Sequence, residues 1–297
     1  MISPIQQFRD ALASAGVILA TGVDIIPDGQ LHRAKTSSDK AGQCSAWYRL
    51  HLDAPIAGAG GDWRQGVKLN WTAKRQTSMT SAERAELAAR IQQERAEAQK
   101  ELERRHNAAA AKAARIWQSA ASAAARHPYL DRKGIAPGIA RQSGGALILP
   151  VMDFTGTLHG LQFIAEDGGK RFISGMAKQA HFIPSGLTPS PDRPLWITEG
   201  WATASTLAAM RQAVCVIAAL DAGNLLSVAC EARNRWPGLE IVICPDFDTV
   251  GRQKGQEAAE KARARIMKPD RLHSDLPPSC TDWNDWACWR KSQEVRA

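Results

Sequence analysis

Two apolar runs that end in carboxylates constrain the fold of this chain more than any other feature. The first run, residues 195–200, carries Glu199 near its end, and the second, residues 241–248, closes with Asp246 and Asp248. Short, continuous apolar runs are typical of strands buried on both faces of a parallel sheet. Ligands of such sheets bind beyond the carboxyl ends of the strands, where these acids stand.

The residues between the two runs predict a strand–helix–strand–helix–strand order. Two helical stretches, residues 201–211 and 224–236, flank a further apolar run at residues 214–219. Right-handed crossovers would bring the acids to one edge of one sheet, and Asp221 after the middle strand would join that edge. Several carboxylates at one point form an oxygen-rich site that suits Mg²⁺ or Mn²⁺.

Composition indicates a globular protein of one or two domains. The chain has 297 residues, of which 44% are hydrophobic, so it can bury a sizeable core. No apolar run approaches the roughly 18 residues that a membrane helix requires. Since the first residues also lack a charged region followed by an apolar one, we expect a cytoplasmic protein without a membrane partner.

The cysteines argue against a structural zinc ribbon. All six are scattered, and no Cys-x-x-Cys pair occurs. Zinc ribbons need closely spaced thiolate pairs, so the expected cofactor is Mg²⁺ or Mn²⁺ and not zinc.

Positive charge is concentrated in one part of the chain. The net charge is +8, and residues 60–141 contain 16 Lys or Arg against 8 Asp or Glu, so that 16 − 8 = +8 falls in this segment alone. A basic segment beside an acidic metal site would suit an enzyme that holds a phosphate backbone. The alternative is a solvated basic surface without a ligand.

Residues 1–75 are predicted to form a small α+β domain without zinc ligands. Trp47 and Arg64 are candidates for an aromatic and basic face that binds single-stranded nucleic acid. The other members of this face would be Trp63, Trp71, Arg33, Lys35, Arg49 and Lys68. Alternatively, the tryptophans form the core of the small domain. The glycine-rich residues 58–61 lack a Gly-Lys-Ser/Thr ending and are interpreted as a hairpin turn.

Residues 76–126 are predicted to be a charged spacer dominated by one helix. Residues 80–125 contain neither glycine nor proline and are rich in helix-forming residues. Thr80 or Ser81 would cap this helix, with Arg84 in place of the usual acidic residue of a capping box.

Residues 127–188 are predicted to form a basic α+β subdomain with consecutive antiparallel strands. The predicted strands at residues 147–152, 158–164 and 170–173 are separated by short turns. A proline-rich linker at residues 184–194 would follow. Later in the chain we expect a helix over residues 251–267 and a further strand at residues 271–273.

The order of the motifs resembles a known family. Glu199-Gly200-Trp201-Ala202-Thr203-Ala204, Asp221-Ala222-Gly223-Asn224-Leu225 and Thr281-Asp282-Trp283-Asn284-Asp285 resemble the Toprim signature of DNA primase-like proteins of plasmids and phages. That family is related to the catalytic core of bacterial replicative primase. The resemblance covers about residues 110–290. It implies an α/β Toprim domain at residues 195–290, a Rossmann-like parallel sheet flanked by helices.

The resemblance also implies roles for particular residues. Lys170 and Arg171, with Lys178, would grip nucleotide phosphates, because phosphoryl transfer needs cations beyond the metal; the alternative is a charged strand edge. Arg132 and Lys133 would contact nucleic acid in a basic turn. Asp282 resembles part of the closing family motif, but the cap of a final helix is its first-ranked role.

The implied activity is a DNA primase-type nucleotidyltransferase that makes short RNA primers on single-stranded DNA from ribonucleoside triphosphates, in plasmid or phage replication. Glu199, Asp246 and Asp248 would be catalytic metal ligands, with Asp221 as a further ligand and Glu199 alternatively a general base. The chain contains no Gly-x-x-x-x-Gly-Lys-Ser/Thr motif, so any replicative helicase would be a separate partner. Two alternatives use the same sequence features: a Toprim nuclease, and a non-catalytic accessory protein that binds single-stranded nucleic acid.

Overall fold

The computed structural model describes residues 2–74, 78–267 and 276–294. It divides into two compact units, Met1–Lys100 and Glu101–Ala297, and the division falls inside one long helix. The finer four-part division stays a prediction. Within the described residues, no helix is long and apolar enough to cross a membrane.

The first unit is a four-stranded antiparallel sheet covered by one helix. Helix α1 (Pro4–Ser14) begins after Ser3, whose side chain accepts a hydrogen bond from the amide of Gln6. The strands, in the spatial order β1-β2-β3-β4, are β1 (His32–Ala34), β2 (Ala46–His51), β3 (Ala57–Asp62) and β4 (Val67–Thr72). Alternate residues of β2 are buried, as expected for a sheet with one covered face.

The predicted hairpin turn at residues 58–61 is wrong, because these glycines lie within β3. A Cβ atom on Gly58 would lie 2.9 Å from the Phe8 ring, and one on Gly60 would lie 2.6 Å from Leu12. The absence of side chains here therefore lets α1 pack directly on the sheet. The run is glycine-rich for close packing and not for a turn.

The long helix α2 (Ser81–Ser119) is shorter than predicted at its C-terminal end. It begins with a capping box in which the Glu83 amide donates to Thr80 Oγ1 at 3.1 Å and the Thr80 amide donates to Glu83 Oε2 at 2.8 Å. Glu83, and not Arg84, thus occupies the box position. The helix stops before residue 125 because Ala121–Ser122 pair as strand β5 with the next strand.

An antiparallel sheet follows in the second unit, as predicted. Its strands are ordered β5-β6-β7-β8-β9. After β5 and a short helix α3 (Pro128–Lys133) come β6 (Arg141–Ser143), β7 (Ala146–Met152), β8 (Leu158–Ile164) and β9 (Lys170–Phe172). Ala109 and Ala113 of α2 pack against Ile148 and Leu161 of this sheet.

The predicted parallel sheet flanked by helices is confirmed. Its order is β10-β12-β11-β13-β14, with β10 antiparallel and the other four strands mutually parallel. The strands are β10 (Ile183–Gly186), β11 (Leu195–Thr198), β12 (Cys215–Ala218), β13 (Ile241–Cys244) and β14 (Arg265–Ile266). The flanking helices are α4 (Trp201–Met210), α5 (Leu225–Arg235), α6 (Thr249–Lys261) and α7 (Trp283–Glu294).

Both faces of this sheet are covered, which explains the continuous apolar runs of its strands. On one face, Val216 and Val242 pack in the same cluster as Trp201 and Trp283. On the other face, Ile217 packs in a cluster with residues of α5 and α6. A strand buried on both sides has no reason to alternate polar with apolar residues.

Two local predictions in this region need correction. Residues 183–186, which overlap the expected proline-rich linker, form β10 and pair with β12. Helix α6 ends at Lys261 and not near residue 267, because Arg265 and Ile266 enter the sheet beside β13. The further strand expected at residues 271–273 lies outside the described residues.

Candidate metal and phosphate site

The acids predicted to converge do lie together at one edge of the parallel sheet. Glu199 directly follows β11, and Asp246 and Asp248 follow the neighbouring strand β13. The backbone amide of Asp246 donates a hydrogen bond to Glu199 Oε1 at 3.0 Å. Adjacent parallel strands that end level with one another thus bring the Glu199 carboxylate to the backbone of Asp246, from a distant part of the sequence.

Asp248 and Gly251 set how closely the first turn of helix α6 approaches this acidic cluster. Asp248 caps helix α6, since its Oδ1 accepts a hydrogen bond from the Gly251 amide at 2.7 Å. A Cβ atom on Gly251 would lie 2.6 Å from Glu199 Oε1 and 2.8 Å from the Asp246 carbonyl oxygen. Only glycine lets the first turn of α6 approach the acids this closely.

Burial and mutual repulsion disfavour ionisation of the two innermost acids. Burial raises the pKa of Asp246 to about 8, the charges of Glu199, Asp282 and Asp248 add to the rise, and Lys170 opposes it. Burial also raises the pKa of Glu199; the hydrogen bond from the Asp246 amide opposes this, and Asp248, Asp221 and Asp282 reinforce it. A pair of acids held in this way needs a cation to remain fully ionised.

Asp282 belongs to the acidic cluster, although the sequence analysis ranked its capping role first. It does cap α7, because its Oδ1 accepts hydrogen bonds from the amides of Asn284 at 2.7 Å and Asp285 at 2.9 Å. Its charge also acts on both Asp246 and Glu199. In the sequence, the one signal that pointed to this role was the place of Asp282 in the closing motif. In the structure, the Phe247 amide donates a hydrogen bond to the Thr281 carbonyl oxygen and so holds this motif next to the segment that carries Asp246 and Asp248.

Asp221 and Lys178 form an ion pair at the rim of the cluster. Asp221 also accepts a hydrogen bond from the Asn224 amide at 3.2 Å and so fixes the turn after β12. The charge of Asp221 raises the pKa of Glu199, but the Asp221 carboxylate is already paired with Lys178. Lys178 stands 5.6 Å from the centre of the Phe172 ring. The structure therefore brings both predicted residues near the acids, already paired with each other.

Lys170 and Arg171 are neighbours in β9 that lie on opposite faces of the antiparallel sheet. Lys170 is paired across the strands with Ile164, which packs in the cluster shared with the parallel sheet. Arg171 is paired with Phe163, which packs towards α2, and its guanidinium carbon stands 4.6 Å from the centre of that ring. Of the two predicted phosphate-binding cations, only Lys170 faces the acids.

The environment of Lys170 reflects this position. Its side chain is exposed to solvent, yet the surrounding protein partly desolvates the ammonium and lowers its pKa. The charge of Asp246 opposes that shift. Lys170 is therefore a cation held beside the acids without a close ion pair to any described carboxylate.

The basic turn contributes one residue to the neighbourhood of the site. Lys133 Nζ lies 3.1 Å from Asp285 Oδ1 and 4.0 Å from Asp282 Oδ2. Arg132 instead donates to the Glu166 carbonyl oxygen at 3.0 Å and stands 5.8 Å from the centre of the Tyr129 ring. Of the two residues predicted to contact nucleic acid, only Lys133 thus lies next to the acids, whereas Arg132 contacts Glu166 and Tyr129.

The aromatic face predicted in the first unit is divided. The rings of Trp47 and Trp63 contact each other in a tilted arrangement with centres 5.3 Å apart, and Trp63 is 54% exposed. Arg64 stands nearby, where it donates to Ser38 Oγ at 2.7 Å. Trp71, by contrast, packs against Phe8 in the small core. Trp71 therefore belongs to the core of the small domain, whereas nucleic-acid binding by Trp47 and Arg64 stays a prediction.

The chemistry of the acidic cluster suits a divalent cation. Asp246 Oδ1 is a buried oxygen without a hydrogen-bond partner among the described residues. An unpartnered buried oxygen is costly unless a ligand satisfies it. All donors in the cluster are carboxylate oxygens, which hard divalent cations prefer. Glu199, Asp246 and Asp248 would hold such an ion, with Asp282 within electrostatic reach.

Comparison with known proteins agrees with the resemblance noted in the sequence. Residues 194–292 match the Toprim domain family. Two Escherichia coli proteins named DNA primase TraC are 34% and 31% identical to the chain over 93% and 89% of its length. The chain spans only 28% and 19% of the lengths of these two relatives. Among solved structures, the primase fragment of the bacteriophage T7 primase-helicase protein is 15% identical, with a TM-score of 0.42 over 56% of this chain and 72% of that one.

Replacing Asp246 by Asn should stabilise the cation-free protein. Because the folded-state pKa of Asp246 is raised, the folded form binds more protons than the unfolded form between the ordinary carboxyl pKa and about 8. Its free energy of unfolding therefore falls as pH rises through this window. In a chelating buffer at pH 8 to 9, the free energy of unfolding of Asp246→Asn should exceed that of the native protein by at least about 1.4 kcal/mol, the equivalent of one pKa unit. At pH 5 the difference should be smaller. Denaturant unfolding at each pH measures this, with the exposed Asp192→Asn as control; equal stability at high pH would contradict it.

Replacing Gly251 by Ala should destabilise the protein even though the residue lies in a helix. Alanine normally gains up to about 1 kcal/mol over glycine in helices. Here the new Cβ would meet the Asp246 carbonyl oxygen at 2.8 Å, and backbone cannot give way as a flexible side chain can, so we expect a loss of about 1–3 kcal/mol. The matched control is Gly238→Ala, whose Cβ would meet nothing within 4 Å. Thermal unfolding compares the two, and equal midpoints would refute the close approach.

Proposed function

We propose that this chain is a DNA primase-like nucleotidyltransferase that synthesises short RNA primers on single-stranded DNA. The observation that carries the proposal is the cluster of Glu199, Asp246 and Asp248 with an unpartnered buried oxygen, faced by Lys170 from a second sheet. The sequence similarity to the two proteins named DNA primase TraC extends over most of this chain and supports the same activity.

Mg²⁺ or Mn²⁺ is the proposed cofactor at the acidic cluster, because its ligands are oxygens only. The bound cation would neutralise charge on the transferring phosphoryl group and orient the reacting oxygens. Glu199, Asp246 and Asp248 would hold it, with Asp221 and Asp282 as additional carboxylates around them. The charge of the cation would also offset the burial and the neighbouring negative charges that raise the pKa of Asp246 and Glu199.

Protein side chains would handle the phosphates and the proton. Lys170 is proposed to bind triphosphate oxygens, because its ammonium lies next to the acids. Lys178 could contribute once it leaves Asp221. Glu199 is the candidate base that accepts the proton of the attacking 3′-hydroxyl, since burial raises its pKa above that of an ordinary carboxylate.

The nucleic-acid template is proposed to bind through the basic and aromatic groups outside the cluster. Lys133 and Arg132 of the basic turn would contact the template backbone. In the N-terminal domain, residues 1–75, Trp47, Trp63 and Arg64 offer an exposed ring next to a cation, which suits a stacked base and its phosphate.

Ribonucleoside triphosphates are the proposed substrates, a separate helicase is the proposed partner, and the cytoplasm is the proposed location. Residues 76–126 would act as the spacer between these parts.

A primer-synthesis assay tests the proposal directly. The native protein, Asp246→Asn and the control Asp192→Asn are incubated with single-stranded DNA, ribonucleotides and either Mg²⁺ or Mn²⁺. We expect cation-dependent RNA products from the native protein and the control, and a loss of at least about 100-fold in Asp246→Asn. Degradation of the DNA would instead indicate the nuclease alternative. DNA binding that is equal in all three proteins, with no cation-dependent product, would contradict enzymatic activity altogether.

The neighbouring cations of β9 provide a second, more specific test. Lys170→Gln should lower kcat/KM for ribonucleotides by about 10²–10³-fold, because it removes a charge beside the reacting phosphates. Arg171→Gln changes the same charge one residue away, on the face that packs towards α2, and should lose less than about 10-fold. Steady-state primer synthesis over a range of nucleotide concentrations measures both. Equal losses would show that net charge, and not the position of Lys170, decides phosphate binding.

A further inference from the structure

A second group of potential metal ligands lies apart from the acidic cluster. Asp153, His159 and His181 each offer one ligand atom, and these three atoms lie within 4.8 Å of one another. Asp153 Oδ2 is 2.9 Å from His159 Nε2, and the rings of His159 and His181 have centres 4.1 Å apart. All three residues are half-buried. The group is therefore accessible to an ion while its side chains are held in place.

Hydrogen bonds orient these side chains before any ion arrives. Asp153 Oδ1 accepts from Thr155 Oγ1 at 2.6 Å and from the amides of Thr155 and Thr157 at 2.8 and 3.1 Å, which leaves Oδ2 directed at His159. His181 Nδ1 lies 2.7 Å from the Gln179 carbonyl oxygen. Since a carbonyl oxygen accepts only, Nδ1 carries the hydrogen and Nε2 of the neutral ring keeps its lone pair.

The backbone around the group is also fixed. Asp153 begins the turn after β7, and His159 lies in β8 of the same hairpin. His181 stands next to Phe182, whose backbone pairs with Met152 through hydrogen bonds of 2.8 and 2.9 Å. The Phe154 and Phe182 rings contact each other with centres 4.5 Å apart. The hairpin and the segment before β10 are thus already joined at Phe182, the residue next to His181.

We propose that Asp153, His159 and His181 bind one Zn²⁺ ion. Two imidazoles and one carboxylate are a zinc ligand set, with water in the fourth position of a tetrahedron. Bond lengths of about 2.0 Å in a tetrahedral site require ligand atoms about 3.3 Å apart. Small side-chain rotations would lengthen the 2.9 Å distance between Asp153 Oδ2 and His159 Nε2 and bring the ligand atom of His181 to the same spacing. The ligands come from two chain segments, the β7–β8 hairpin and the segment before β10, and no cysteine takes part.

Nitrogen ligands separate this site from the acidic cluster by chemistry. Imidazole favours zinc over Mg²⁺, whereas carboxylates alone favour Mg²⁺ or Mn²⁺. In millimolar Mg²⁺ the acidic cluster would be occupied by magnesium, and the histidine site would remain selective for zinc. The two sites can therefore be measured separately in one protein.

The zinc ion would stabilise the segment that carries Lys178. Asn224 Nδ2 donates to the carbonyl oxygens of Lys178 and His181 at 3.0 and 2.9 Å, and the Ala180 amide donates to Asn224 Oδ1 at 3.1 Å. An ion on His181 would tie this same segment to the β7–β8 hairpin. Its role is structural, because it would hold Lys178 and its partner Asp221 in position from the other end of the segment.

Zinc binding to the 297-residue chain tests the proposal. Chelator-treated protein is titrated with Zn²⁺ against a chromophoric chelator in millimolar Mg²⁺. We expect one tight equivalent, weakened more than about 100-fold in His159→Gln and in His181→Gln, because loss of even an outer partner of a metal ligand costs 10–100-fold. The matched control is His106→Gln, a histidine of α2 whose charge acts on His181 but which lies outside the group; it should keep the native affinity.

Co²⁺ substitution identifies the ligands without relying on variants that fold. Nitrogen and oxygen ligands should give visible bands without the near-ultraviolet thiolate absorption that any of the six cysteines would add. Thiolate absorption, a native affinity in both histidine variants, or loss of the tight site in His106→Gln would overturn the assignment. So would loss of the tight site in Asp246→Asn, which would place the zinc in the acidic cluster. Absence of a tight equivalent would overturn it as well.

Discussion

The repulsion among buried carboxylates at the end of β11 and β13 is the constraint on which the rest of the second unit depends. Glu199 and Asp246 are kept in contact by one backbone hydrogen bond, while burial and neighbouring charges raise the pKa of both. Such an arrangement is unfavourable by itself, and a protein tolerates it only where other parts of the fold hold it in place. Asp248 and Asp282 contribute by capping α6 and α7, so their carboxylates are fixed by the helices that they begin.

The antiparallel sheet provides two different environments on its two faces. Lys170 projects from the face shared with the parallel sheet and brings a cation to the acids, whereas Arg171, one residue later, packs on Phe163 towards α2. The alternation of side chains along a strand is enough to separate two otherwise equivalent charges. At the other end of the same sheet, the β7–β8 hairpin brings Asp153 and His159 to His181. One small sheet thus supports both the phosphate-binding proposal and the zinc proposal.

The errors of the sequence analysis have a common physical origin in contacts that the local sequence does not record. Gly58 and Gly60 have the composition of a turn, but they lie within a strand because Phe8 and Leu12 occupy the space of their missing side chains. Alanine-rich residues after Ser119 could continue α2, but Ala121 and Ser122 pair with β6 instead. Pro184 suggested a linker, and yet an edge strand tolerates proline, so β10 forms beside β12. In each case a tertiary contact outweighed a local preference.

The sequence by itself determined the parallel sheet, the antiparallel strands before it and the edge at which Glu199, Asp246 and Asp248 meet. These follow from apolar runs and chain order, because strands buried on both faces must be continuously apolar and crossovers have one hand. Only the tertiary structure decided that Asp282 joins the acids, that Lys170 faces them while Arg171 does not, and that Asp153, His159 and His181 form a group. Those outcomes depend on which surfaces of distant elements pack together. Residues far apart in sequence carry no spacing signal for such contacts, so the packing alone brings their side chains into reach.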